Sequence, residues 1–254
     1  MTLNYKEIAN ELLSRRVAGT KAARLNEAQR PVNIEDALQV QAAMIELHPS
    51  KIAGWKCLNP LAEDQFIVGP IFSSDIYQGD VCEQFADNSV VRVEPEIAFI
   101  LSTALPANPD GYSEEQIYAA IGPCHMALEL IQSRFAADSG VEFYEKLADG
   151  LINQGMFIGP EIDREKAFTS SNVNITITQG ETVQTFDGKH PNVLPPSPIY
   201  WLINFMTRRG YDFQAGEAII TGSYCGVVDL EFDTLTTIDY DGIGQYQVEF
   251  KAKK

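Results

Sequence analysis

After Pro49 the sequence changes character, and this break constrains the fold more than any other feature. Upstream, "LNYKEIANELLSRR" (residues 3–16) sets Ile8, Leu12 and Leu13 at helical spacing, and "IEDALQVQAAMIELH" (34–48) does the same with Ala37, Val40, Ala43 and Met44. Glu35 and Asp36 fall in the first turn of that second helix, where the dipole favours negative charge. "NEAQRPVN" links the two, with Pro31 as a breaker. Downstream, short apolar runs alternate with Gly/Pro turns. The pattern predicts strands near 53–57, 89–101, 124–133, 155–159, 173–179, 182–187, 217–222, 234–240 and 245–250. "TITQGETVQT" predicts a hairpin with Gly180 in its turn, and "YDGIGQYQVEF" a turn followed by a closing strand. Helical insertions fit 113–120 and 140–148. A third fits 197–209, with Ser197 as N-cap, Pro198 at the first helical position and Gly210 closing it. Regular strand–helix alternation is absent, as are repeats and low-complexity segments. The expectation is an α+β chain, residues 1–50 forming a helical segment packed on a β-rich core of residues 51–254.

Composition narrows what such a chain can do. At 254 residues, 45% apolar and 10% aromatic, it can bury a sizeable core as one domain, or one domain with a small appendage. The net charge of −16 argues against a nucleic-acid partner, which would need clustered Lys and Arg. Apolar runs such as "VLPPSPIYWLINFM" are too short or too Pro-broken to span a bilayer. The first 25 residues carry early acidic groups and no continuous apolar stretch, so they do not read as a secretory signal, and a cytoplasmic protein without membrane partners is expected. Cys57, Cys82, Cys124 and Cys225 are far apart with no CxxC pair, and read as reduced, mostly buried thiols.

Within the β-rich part, "VRVEPEIAFIL" (91–101) carries a charge pair that an apolar strand does not need. Val91, Val93, Pro95, Ile97 and Phe99 share one face; Arg92, Glu94, Glu96, Ala98 and Ile100 share the other. A plain solvent face would stay polar to its end. This one turns apolar at Ala98 and Ile100, so the glutamates sit where the strand enters the interior. Two carboxylates ~7 Å apart along a strand raise each other's pKa unless a cation joins them. A solvated pair salted to Arg92 and a pair holding a hard cation such as Mg²⁺, Mn²⁺ or Ca²⁺ both fit the strand taken alone. "GPCHMALELIQSRF" adds Glu129, again an ionisable group in an apolar strand, between Ala127 and Ile131. Its neighbour His125 would point away and reads as a packed core histidine. Lys56 in "KIAGWKCLNP" is either a lysine reaching for water or a group whose pKa is lowered by burial for proton transfer.

These segments also follow a familiar order: Gly54-x-Lys56, "VGPIFSSD", "VRVEPEIAFIL", "ALELIQSRF", "GMFIGP", "ITGSYCGVVDL" and "GIGQYQVEF". From about Glu11 to Phe250 the chain resembles the 2-keto-4-pentenoate hydratase/4-oxalocrotonate decarboxylase branch of the fumarylacetoacetate hydrolase superfamily. The resemblance implies a mixed β-roll with an N-terminal helical region, usually oligomeric. It implies Mg²⁺ or Mn²⁺ held by Glu94, Glu96 and Glu129. It assigns catalytic roles to Lys56 and Asp75, and a substrate-facing role to Ser223 of the "TGS" turn. The implied partners are a small 2-oxo acid, further copies of the chain in a homo-oligomer, or a related hydratase or decarboxylase subunit.

The implied reaction is lyase chemistry: hydration of a 2-hydroxy-2,4-dienoate to a 4-hydroxy-2-oxo acid through a metal-stabilised enolate. Decarboxylation of a 2-oxo-3-enedioate (4-oxalocrotonate) through the same enolate is the alternative. C–C hydrolysis of the acylpyruvate type would need a Glu-His pair on a lid helix, which His48, His125 and His190 do not supply; a non-catalytic partner subunit is the remaining reading. Four departures from the family pattern bear on substrate identity: Leu58 replaces a glycine, Asn59-Pro60 a Thr-Ser pair, Gly150 an asparagine after the retained Asp149, and Gln132 an aspartate.

Overall fold

In the computed structural model, residues 3–62 and 65–253 are described. The chain opens with helices α1 (Tyr5–Ala18) and α2 (Ile34–Leu47). Asn4 caps the first, its side chain accepting from the Glu7 N–H, and Gly19 ends it in the left-handed region. Asn33 caps the second through the Asp36 N–H. Strands β1 (Ile52–Ala62), β2 (Gln65–Phe72), β3 (Ile76–Tyr77), β4 (Val81–Gln84) and β5 (Val91–Leu101) follow. Then come α3 (Glu114–Ala120), β6 (Ile121–Ile131), α4 (Phe143–Ala148), β7 (Asn153–Ile162) and α5 (Arg164–Thr169). The chain ends with β8 (Asn172–Gln179), β9 (Thr182–Lys189), α6 (Ser197–Thr207), β10 (Ala218–Ile220), β11 (Val228–Leu230), β12 (Leu235–Tyr240) and β13 (Gly244–Ala252).

Two mixed sheets result. The larger runs β2-β1-β10-β5-β6-β7-β3, with β11 also paired to β5; the smaller runs β4-β13-β12-β8-β9. Three pairings are parallel, β1 with β10, β3 with β7 and β4 with β13. Val91, Val93, Ile97 and Phe99 of β5 pack into the main core with α1, α2 and the inner face of the smaller sheet. The opposite face of the larger sheet closes on a smaller cluster: Ile71, Ala98, Ala127, Met156, Ala218 and Ile220. The two sides of β5 thus meet two different interiors, and the glutamate-bearing side runs inward at Ala98. Among the described residues no helix is long and apolar enough to cross a membrane.

Several sequence expectations shift. The strand expected at 53–57 extends to Ala62 and turns back as β2, whose Gly69-Pro70 concealed it. Ser197 is the first residue of α6, not its cap; Pro196 takes that place, and the Ser197 hydroxyl donates to Leu194 O instead. His125 is half-buried beside Gln78, Asp80 and Tyr246, its Nδ1 2.9 Å from Gly159 O, rather than packed in the core.

Candidate active site

Antiparallel register sets Glu94 of β5 directly opposite Glu129 of β6, and Glu96 opposite Ala127. Like charges directly opposed across a ladder destabilise it, so this register makes the strands carry a cost that another group must offset. Glu96 and Glu129 are 2% and 1% exposed, and Glu94 is half-buried. Each of the three carboxylates offers an oxygen within 4.8 Å of the other two. Burial and then Glu129 push the Glu94 carboxyl up to about 7. Burial, Glu129 and Glu94 push Glu96 well above the carboxylate range, against the pull of the Gly222 N–H and Lys56.

Lys56 enters from β1. Its Nζ lies 2.5 Å from Glu129 Oε1 and 3.3 Å from Leu151 O. Burial works to lower its pKa, but Glu129, Glu94 and Glu96 outweigh burial and hold the ammonium above its ordinary value. The downward shift expected from burial alone is therefore reversed while the carboxylates are charged. Asn153 Nδ2 donates to the same Glu129 oxygen at 2.9 Å. With Oε1 capped twice, Glu129 has Oε2 left to offer.

The wall facing Glu96 comes from the turn after β10. That short strand pairs β5 at Ala98–Ile100, while β11 pairs it at Val91–Val93. Between them the side of β5 away from β6 has no strand neighbour, which is why Pro95 is tolerated in mid-sheet. The gap is filled by residues 221–227: the Tyr224 N–H donates to Pro95 O, and the Gly222 N–H donates to Glu96 Oε2 at 2.6 Å. Gly222 has φ +120°, which a side chain would strain, and an added Cβ would lie 2.6 Å from Leu58 and from Pro191. Ser223 Oγ sits 3.2 Å from Pro95 O and 3.1 Å from Gly226 O. From the other side, the buried Tyr240 hydroxyl lies 3.1 Å from both Glu96 O and Ala127 O, tying β5 to β6 beneath the site.

Lys56, the three glutamates, Ser223 and Leu58 line one cavity of about 230 Å³. Asp75 does not join them. It is buried in a short turn after β2, 3.6 Å from Arg16 Nη1 and 3.5 Å from Lys253 Nζ. Its link to the site is indirect: Arg16 Nη2 donates to Asn153 O at 2.7 Å, and Asn153 holds Glu129. Gln132 and Gly150 also lie off the cavity lining. Gln132 donates to Gly19 O at the end of α1. Gly150 begins three consecutive residues of positive φ, with Leu151 at 55° and Ile152 at 62°; this bent turn aims Leu151 O at Lys56. It is anchored by fully buried Arg134, whose Nε lies 2.6 Å from an Asp149 oxygen. Asn153 and Gly222 are the contributors that sequence reasoning missed. "TGS" marked the neighbourhood of the second, while nothing local marked the first.

The donor set fits a divalent cation. Three carboxylates converge on one point, two of them pushed toward protonation, and the Lys56 ammonium beside them is engaged with Glu129. All-oxygen, anionic donors suit a hard cation of the Mg²⁺ or Ca²⁺ kind.

No family model matches the chain. It is 24% identical to 2-keto-4-pentenoate hydratase of Paraburkholderia xenovorans LB400, over 98% of this chain and 96% of that protein. Its fold superposes on 4-oxalocrotonate decarboxylase from Pseudomonas putida G7, solved with magnesium and adipate, with TM-score 0.79 at 19% identity, covering 97% of each chain. The same decarboxylase solved with calcium and acetate gives TM-score 0.75 at 18% identity, again over 97% of each. A fumarylacetoacetate hydrolase family protein from Yersinia pestis CO92 gives 0.53 at 17% identity, covering 81% of this chain and 95% of that one. The fold is of the fumarylacetoacetate hydrolase type, and the resemblance read from the sequence motifs is borne out along nearly the whole chain.

Proposed function

We propose that the chain is a cytoplasmic, divalent-metal-dependent lyase that adds water to a 2-hydroxy-2,4-dienoate, giving a 4-hydroxy-2-oxo acid. The observation that carries this reading is the convergence of Glu94, Glu96 and Glu129 with Lys56 in one small cavity. Glu94, Glu96 and Glu129 would hold Mg²⁺ or Mn²⁺; the decarboxylase neighbour, solved with magnesium and with calcium, supports a divalent metal. Bound there, the cation supplies Lewis acidity for the chelating end of a 2-oxo acid. The remaining work falls to side chains. Lys56 Nζ holds a proton beside Glu129 and gives the substrate carboxylate a positive neighbour in a chain of net charge −16. It is also the group placed to move that proton onto or off the substrate carbon skeleton. Ser223 faces the bound substrate, and Asp75 acts at one remove, by fixing Arg16 and through it Asn153 and Glu129. Leu58, Ile67, Pro191 and Ile220 of the cavity lining would pack against the substrate's hydrocarbon. The functional unit is a homo-oligomer or a complex with a related subunit.

Decarboxylation of a 2-oxo-3-enedioate is the second reading, favoured by the structural likeness to the decarboxylase. A paired assay separates the two. The protein is incubated with 2-hydroxypenta-2,4-dienoate and with 2-oxohex-3-enedioate, in Mg²⁺ and in EDTA. Mg²⁺-dependent loss of dienol absorbance is expected with the first. CO₂ release from the second, without hydration of the first, would establish the decarboxylase reading. No metal-dependent turnover of either would remove the enzyme reading altogether.

A further inference from the structure

The site cavity has two chemically unlike sides. One is the carboxylate cluster with Lys56. The other begins at Leu58, which follows Lys56 by two residues on β1 and so shares its face. Leu58 is paired across the ladder with Ile67 of β2, and the two side chains stand together as one surface. Opposite them, Pro191 comes as close to Gly222 as Leu58 does, each with a carbon 2.6 Å from where a Cβ on that glycine would stand. Beside the carboxylates and Lys56, the lining therefore includes a hydrocarbon surface of Leu58, Ile67, Pro191 and Ile220. Among the described residues lining the cavity, Lys56 is the one cation, and it is engaged with Glu129. His190 lies behind the wall, its Nδ1 accepting from the Asn192 N–H and its Nε2 turned to Thr221 Oγ1.

We propose that Leu58, backed by Ile67 and Pro191, is the residue that selects the substrate's far end, admitting a short uncharged tail and excluding one that carries a second carboxylate. The inference rests on the 2-oxo acid reading of the same site. A second carboxylate placed against Leu58, Ile67 and Pro191 would lose water and gain no donor or counter-charge from those side chains, which is costly for an ion. An uncharged vinyl or alkyl tail gains from contact with the same surface. The wall also stands against the turn that positions Glu96. The tail-recognising surface and one metal-holding carboxylate therefore share Gly222 as a common neighbour.

The test uses non-reacting saturated acids, so it reads binding rather than turnover. Calorimetry in saturating Mg²⁺ compares 2-oxopentanoate, 2-oxoheptanoate and 2-oxohexanedioate on the wild-type protein, Leu58→Ala and Leu58→Arg. Wild type is expected to bind 2-oxopentanoate about a hundredfold more tightly than the dioate. Leu58→Ala should bind 2-oxoheptanoate about tenfold better than wild type does and still refuse the dioate. Leu58→Arg should cut the discrimination against the dioate at least about tenfold. Wild-type binding of the dioate on a par with 2-oxopentanoate overturns the inference alone, and needs no variant to fold. So does a preference that neither folded variant moves. Failure of every 2-oxo acid to bind overturns the functional reading and this inference together.

Discussion

Glu94→Gln, studied without divalent cation, tests whether the carboxylate cluster is a burden on the fold that a metal relieves. Burial and the opposed Glu129 hold the Glu94 carboxyl at about 7 in place of 4.5. Between those values the folded state binds more protons than the unfolded one. Stability therefore falls as pH rises through the window, and the loss is complete above it. At about 1.4 kcal/mol per pH unit this comes to about 3 kcal/mol, and to roughly 2 kcal/mol once solvent screening at a half-buried group is counted. Removing the charge removes the loss. In EDTA at pH 8, Glu94→Gln should be about 2 kcal/mol more stable than wild type in urea denaturation, the gap closing toward pH 5. Mg²⁺ at a hundredfold its Kd should add about 2.7 kcal/mol to wild type and far less to the variant. A variant less stable than wild type in EDTA at pH 8, or one that Mg²⁺ stabilises equally, would refute the argument.

Lys56→Ala should lower kcat by about a hundredfold or more while Mg²⁺ affinity moves less than tenfold; equal losses in kinetics and calorimetry would make Lys56 a structural residue. Asn153→Ala frees Glu129 Oε1 of one of its two donors and should weaken Mg²⁺ binding about tenfold; unchanged affinity would detach Asn153 from the site. Arg134→Ala leaves Asp149, 1% exposed, without its partner, and should cost about 3–5 kcal/mol and lower Tm on the order of 10 °C. A loss under about 1 kcal/mol would mean that water or another donor replaces the guanidinium.

What could be read from sequence was what local pattern encodes. Helical spacing marked α1 and α2, and strand alternation placed Glu94 and Glu96 on the inward face of β5, because periodicity depends on near neighbours. Glu129 was visible as a charge out of place among apolar residues. The turn at residues 150–152 was not legible, because left-handed Leu151 and Ile152 are held there by Arg134 on Asp149 rather than by their own preferences. Nor was the company Asp75 keeps, since Arg16 and Lys253 reach it from opposite ends of the chain. The cap of α6 moved by one residue because a proline can occupy the first turn without losing a hydrogen bond, so successive prolines leave the start ambiguous.

Strand β10 is three residues long, yet it is the strip between β1 and β5 in the larger sheet. Before Ala218 is made, a growing chain can pair β1 with β2, and β5 with β6, β7 and β3, but no strand yet joins β1, which carries Lys56, to β5, which carries Glu94 and Glu96. The strand that carries the lysine and the strands that carry the glutamates are therefore joined edge to edge only once residues 218–220 exist, with the smaller sheet still waiting for β12 and β13. A product ending short of residue 218 would leave the mutually repelling glutamates without the lysine's scaffold and two strand edges open to pair with other chains.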